Sequence, residues 1–162
     1  MNAIDLANLF LDRFGKENAL THMKLQKLVF FADGWNAGFK ESRLLEEAPE
    51  VWRYGPVYHS LYSALSGRGN NPVRGLIKAT PFTDPVINPG NDDISKLVDW
   101  IWGKYGQISA VRLSDMTHAI GTPWHTMAVR HNFKVPFNLQ IPDDVMREYF
   151  RKLAHEEGLV ES

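Results

Sequence analysis

At 162 residues, with 44% apolar and 12% aromatic content, the chain is long enough to bury one hydrophobic core and short enough to form one domain, 1–162. Eighteen lysines and arginines against nineteen aspartates and glutamates leave a net charge of −1, which gives no electrostatic case for nucleic acid or an acidic membrane as partner. No cysteine is present, so disulfides and thiolate metal sites are excluded, and a reducing, cytoplasmic setting is expected.

The opening MNAIDLANLF carries Asp5 and no basic segment, so it does not read as a signal peptide, and no apolar run approaches membrane-spanning length. A helix is expected over 2–14. Asn2 caps it, Asp5 suits the positive end of its dipole, and Ala3, Leu6, Ala7, Phe10 and Phe14 share one face before Gly15 ends it.

Residues 21–39, THMKLQKLVFFADGWNAGF, form the densest apolar stretch. Thr21 is a good N-cap, and Leu25, Leu28, Val29 and Ala32 fall at i, i+3, i+4 and i+7. Phe30 and Phe31 widen that stripe until little of the helix is polar, as in a central buried helix packed on several neighbours. Lys24, Gln26, Lys27 and Asp33 then need partners or an exit to water. Gly34 and Gly38 allow close backbone approach and a stop.

After a polar connector over 43–49, EVWRY at 50–54 has the content of a short strand. Gly55-Pro56 reads as a turn, with Pro56 at the first position of a helix through Leu61, Ala64 and Leu65 to Gly67. A loop at 67–72 follows. Pro72, Pro81, Pro85 and Pro89 then keep the chain from helix, with a short extended piece at 75–79. Asn91 or Asp92 caps a helix with Ile94, Leu97, Val98, Ile101 and Tyr105 on one side, closed by Gly106.

Ser109 caps the next helix, whose Leu113, Met116, Thr117 and Ile120 point one way until Gly121. Thr122-Pro123 restarts a short helix through Trp124 and Met127. After a loop at 132–140, the last helix begins near Pro142, with Asp143 and Asp144 at its positive end and Met146, Tyr149, Phe150 and Leu153 on one face. The expected class is mainly α, with about six helices around the central one and a small β element near 50–54.

Four segments in order, MKLQKLVFFADGW, VWRYGPVYHSLY, LSDMTHAIGTPW and IPDDVMREYF, resemble the Panacea domain known from SocA-type antitoxins and from phage-associated proteins. The resemblance covers about residues 21–150. It implies an antitoxin that neutralises a cognate toxin by direct binding, and, for the SocA type, an adaptor that delivers the toxin to the ClpXP protease. Departures are modest. Phe30 and Phe31 stand where tyrosines are common, Asp33 where a glutamine is usual, and Thr122 where serine often precedes Pro-Trp. Any role of those tyrosine hydroxyls in relatives does not carry over.

Within these motifs, Arg53 and Tyr54 sit where an extended piece meets a helix start, a place suited to partner or anion contact. The structural alternative makes Trp52 and Tyr54 core anchors, Gly55-Pro56 a turn, and Arg53 the partner of Asp33 or a glutamate. Lys24 and Lys27, near the positive end of the central helix, can contact anions or act as a nucleophile of lowered pKa. The plainer reading has their stems snorkel and their ammonium groups solvated. Trp35, Trp52, Gly55, Pro56, Pro123 and Trp124, with Asp33, are expected to be structural.

Asp115, His118 and His125 can be drawn as metal ligands, but the Gly-Thr-Pro break removes fixed helical geometry and no H-E-x-x-H spacing exists, so no metal is expected. No nucleophile elbow or Walker loop is present, and no catalytic residue or cofactor is assigned. The leading reading is a non-enzymatic binding protein with Lys24, Lys27, Arg53 and Tyr54 at the partner surface. A small enzyme using Lys27, Asp33, Arg53 and His59 is the alternative, to be favoured by one deep pocket lined by all four. A phage protein acting on a host defence component is a third.

Overall fold

Side-chain caps start five of the seven helices found among the described residues. The computed structural model describes residues 1–40, 42–85, 87, 88 and 90–161; Pro89, one of the prolines expected to break helix, lies outside them, as do Glu41, Val86 and Ser162. Asn2 caps α1 (Ala3–Phe14) by accepting from the Asp5 N–H at 2.8 Å. Thr21 caps α2 (His22–Phe39) in the same way through the Lys24 N–H.

The chain then forms an antiparallel hairpin of β1 (Glu50–Trp52) and β2 (Gly55–Val57), followed by α3 (His59–Leu65). Asn91 caps α4 (Asp92–Tyr105), Ser109 caps α5 (Ala110–His118), and Thr122 caps α6 (Pro123–Arg130) with Pro123 in its first turn. Pro142 precedes α7 (Asp143–Glu156). No described helix is long and apolar enough to cross a membrane.

The centre of the fold is α2, buried from Lys24 to Gly38. Its apolar faces meet α1, α4, α5 and α7. Trp35 is wholly enclosed, donates its indole N–H to the Tyr105 hydroxyl at 2.7 Å, and packs edge-on against Trp100 and Phe150. Phe31 stacks on Tyr105 with ring centroids 4.0 Å apart. The two glycines near the end of α2 are where α7 crosses it. A β-carbon at Gly34 would meet the Phe150 ring at 2.1 Å, and one at Gly38 the Phe150 backbone at 2.8 Å.

The polar residues of α2 fasten the connectors between other elements, which is how a nearly all-buried helix satisfies them. Lys24 donates to the carbonyls of Gly106 and Ile108, fixing the link from α4 to α5. Gln26 exchanges hydrogen bonds with the Tyr58 backbone, accepting at 2.9 Å and donating at 3.3 Å. Lys27 donates to Pro56 O at 3.1 Å. Asp33, at 0% exposure, takes two bonds from the Arg43 guanidinium, one from the Tyr58 hydroxyl at 2.7 Å and one from the Leu45 N–H.

Several expectations are corrected here. Gly55-Pro56 is not a turn leading into a helix; it begins β2, and the turn falls on Arg53 and Tyr54. Pro56 fits a strand because it faces Val51, whose own N–H points away and donates to Leu139 O. Asp33 pairs with Arg43 rather than Arg53. Met116 lies on the open side of α5 and Ile120 beyond its end at His118, so both are exposed. Residues 75–79 form no strand; the Ile77 N–H is held instead by the buried Asn8 side chain at 2.7 Å.

Candidate functional site

The hairpin tip is built by two motifs distant in sequence. Gly55 has φ +115°, a region that a β-carbon strains, and this brings the chain back from the turn into β2. Carbonyl oxygens at this turn face α2, α5 and α6 and are held there by side chains. Side chains take them one by one. The Trp124 indole donates to Trp52 O at 2.7 Å, the Ser114 hydroxyl to Tyr54 O at 2.6 Å, and Lys27 to Pro56 O. His118 sets its two ring nitrogens 2.9 Å from Arg53 O and 2.6 Å from Ser114 O, and a nitrogen that carries a proton donates to the carbonyl it faces. Thr117 packs its hydroxyl beside Gly55 while donating to Ser114 O.

With its backbone clamped, the tip presents two side chains outward. Tyr54 is 61% exposed, so it is not a core anchor, and the Arg53 guanidinium lies over its ring at 5.4 Å. Arg53 has no side-chain hydrogen bond or ion pair among the described residues. Trp52 and Trp124 are half-buried rather than enclosed, and Trp52 tilts against Tyr62 at 4.5 Å.

Two clefts flank the tip. One, of about 490 Å³, lies between the hairpin and the loop carrying the exposed Phe133 and Phe137. The other, of about 520 Å³, lies between the hairpin, the start of α2 and α3; Lys27, Trp52, Arg53, Tyr54 and Tyr62 line it.

Lys24 and Lys27 are not solvated. Lys27 is 2% exposed, and burial pushes its ammonium pKa down to about 7. Burial lowers Lys24 as well. Burial raises the Asp33 carboxyl, against the opposing pull of Arg43, Tyr58 and the Leu45 N–H. The four residues of the enzymatic alternative do not share a pocket: Lys27 and Arg53 line the second cleft, whereas Asp33 is enclosed with Arg43 and His59 faces Glu50 at 3.4 Å. His125 accepts from the Gly121 N–H, and no group of three metal-ligating side chains occurs among the described residues.

Sequence reasoning missed Ser114, Thr117 and His118 as clamp residues. The signal is present: they fall at i, i+3 and i+4 and place hydrogen-bonding groups on one side of α5.

The family described as "Antitoxin SocA-like, Panacea domain" matches the chain over residues 25–125. Antitoxin SocA of Caulobacter vibrioides (strain NA1000 / CB15N) is 28% identical over 158 residues, covering 93% of this chain and 83% of that protein. No solved structure matches. The matched residues contain the whole hairpin, its clamp on α5 and Trp124 of α6.

Proposed function

This chain belongs to the SocA-like antitoxin family of Panacea domains, and from that premise we propose that it neutralises a cognate toxin by direct protein–protein contact at the hairpin tip. The observation that carries the reading is the division of labour at residues 52–56. Their carbonyls are consumed internally, while Arg53 and Tyr54 stand exposed between two largely apolar clefts. Arginine and tyrosine on a rigid support, ringed by apolar surface, are the residues in which interface energy concentrates. Phe133 and Phe137 extend the same surface on one side. Lys24 is withdrawn from it, because its ammonium is spent on two internal carbonyls.

The test is coexpression of a small reading frame adjacent to this gene, with and without this chain. Growth arrest by the neighbour alone, relief by the wild type and no relief by a folded Arg53→Ala, Tyr54→Ala double variant are expected. Relief by that variant equal to wild type would move the interface elsewhere. The proteolytic-adaptor form of the reading predicts a shortened toxin lifetime when ClpXP is present; simple neutralisation leaves the lifetime unchanged.

A further inference from the structure

We propose that the cleft between the hairpin and the start of α2 is a receptor for a carboxylate carried on the partner polypeptide, an aspartate or glutamate side chain that enters alongside the packed Trp52 and Tyr62 rings and ends on Lys27. This deepens the antitoxin reading and rests on it.

The lining has a one-sided electrostatic character. His22, Lys27 and Arg53 contribute to it, and no aspartate or glutamate does. Lys27 is the buried floor, and its ammonium has three donors of which only one is engaged, with Pro56 O at 3.1 Å. A lysine held in apolar surroundings with two idle donors and no carboxylate is a poor structural choice, since an uncompensated buried charge is destabilising. A carboxylate delivered from outside supplies the missing acceptor. Arg53 at the rim, itself unpaired among the described residues, offers a second cation that can guide the same group inward.

The walls fit a polypeptide better than a free ion. Trp52 and Tyr62 are in contact across the cleft, and Tyr54 and Tyr62 both have exposed rings at its edge. At about 520 Å³ the space accommodates a side chain with a flanking residue. The charged and titratable groups around Lys27 are His22 on its own helix, Arg53 and Tyr54 on the hairpin, and Tyr62 on α3; burial and the neighbouring Lys27 lower the His22 pKa.

The purified chain, labelled with ¹³C at lysine Cε, is titrated with capped acetyl-Leu-Glu-Phe-amide, its Gln counterpart and sodium acetate. The Lys27 resonance is assigned by its loss in Lys27→Met. The Glu peptide is expected to raise the Lys27 titration midpoint by about one pH unit or more and to bind about tenfold tighter than the Gln peptide. Equal affinity for the two peptides, or an unmoved Lys27 midpoint at saturating peptide, overturns the proposal. An equal shift by acetate at the same concentration overturns the polypeptide source. Should Lys27→Met not fold, Arg53→Gln, on the exposed rim, must reduce the Glu preference, and an undiminished preference counts against the site. No toxin enters this experiment. Peptide capture without protection in coexpression therefore removes the antitoxin reading alone, and protection without capture removes the cleft alone.

Discussion

The Lys27 ammonium and the Gly55 backbone are in such close contact that a β-carbon on Gly55 would stand 2.7 Å from Nζ, and 2.7 Å from the Thr117 hydroxyl. Position 55 therefore has two reasons to be glycine, its φ of +115° and the space taken by Lys27. Gly55→Ala is expected to lose about 1–3 kcal/mol for the backbone conformation alone, with more from displacing the lysine. Urea denaturation checks this; an unchanged midpoint would show that the tip tolerates rebuilding.

Lys27 also sets a pH dependence. Its ordinary value is 10.5 and its folded value about 7, so between those limits the unfolded chain binds the extra proton and stability rises with pH. The contribution is absent below about pH 7, where both states are charged, and complete above about 10.5. Within the window the slope approaches roughly 1.4 kcal/mol per pH unit. Between about pH 7.5 and 9.5 the wild type should gain on Lys27→Met by roughly 2 kcal/mol. Parallel stability curves for the two proteins would mean that Lys27 keeps its charge when buried.

The enclosed Asp33 depends on Arg43. Arg43→Ala leaves a carboxylate at 0% exposure with only Tyr58 and the Leu45 N–H to hold it, and should cost about 3–5 kcal/mol. The double variant Asp33→Asn, Arg43→Met should recover part of the loss, because the uncompensated charge is then gone. Thermal melts of the single and double variants decide it; equal losses would assign the damage to packing alone.

Arg53 behaves oppositely. With no internal side-chain partner among the described residues, Arg53→Ala and Tyr54→Ala should each change folding stability by less than about 0.5 kcal/mol. Binding of the partner should fall by on the order of 2 kcal/mol or more, roughly thirtyfold. Calorimetric titration beside circular dichroism separates these effects. A melting temperature depressed by several degrees in Arg53→Ala would place that residue in the core after all.

The helices are legible in the sequence because each carries its own punctuation: Asn2, Thr21, Asn91, Ser109 and Thr122 all cap as their side chains suggest. The hairpin is half legible. EVW has the β-branched and aromatic content of a strand, but Gly-Pro resembles a helix start, and only the tertiary clamp from α5 and α6 moves the turn back to Arg53 and Tyr54. Arg43 escapes notice because it lies in a connector without periodicity, so nothing local ties it to Asp33. Lys24 and Lys27 mislead for a related reason. Lysine stems on a helix usually lead to water, and the carbonyls that receive these two belong to the distant α4–α5 link and to β2.

The crossing of α7 over Gly34 and Gly38 sets a schedule for biosynthesis. Arg151, which donates to Gly38 O at 3.0 Å, is made 113 positions after it, and Phe150 covers the same glycines. While the ribosome works through the intervening chain, that flank of α2 has no permanent cover, and contacts so far apart in sequence close slowly. A nascent or prematurely terminated chain thus displays part of the helix that is most buried in the finished molecule to chaperones and proteases. The cover of α2 is complete only once α7 has been made and docked.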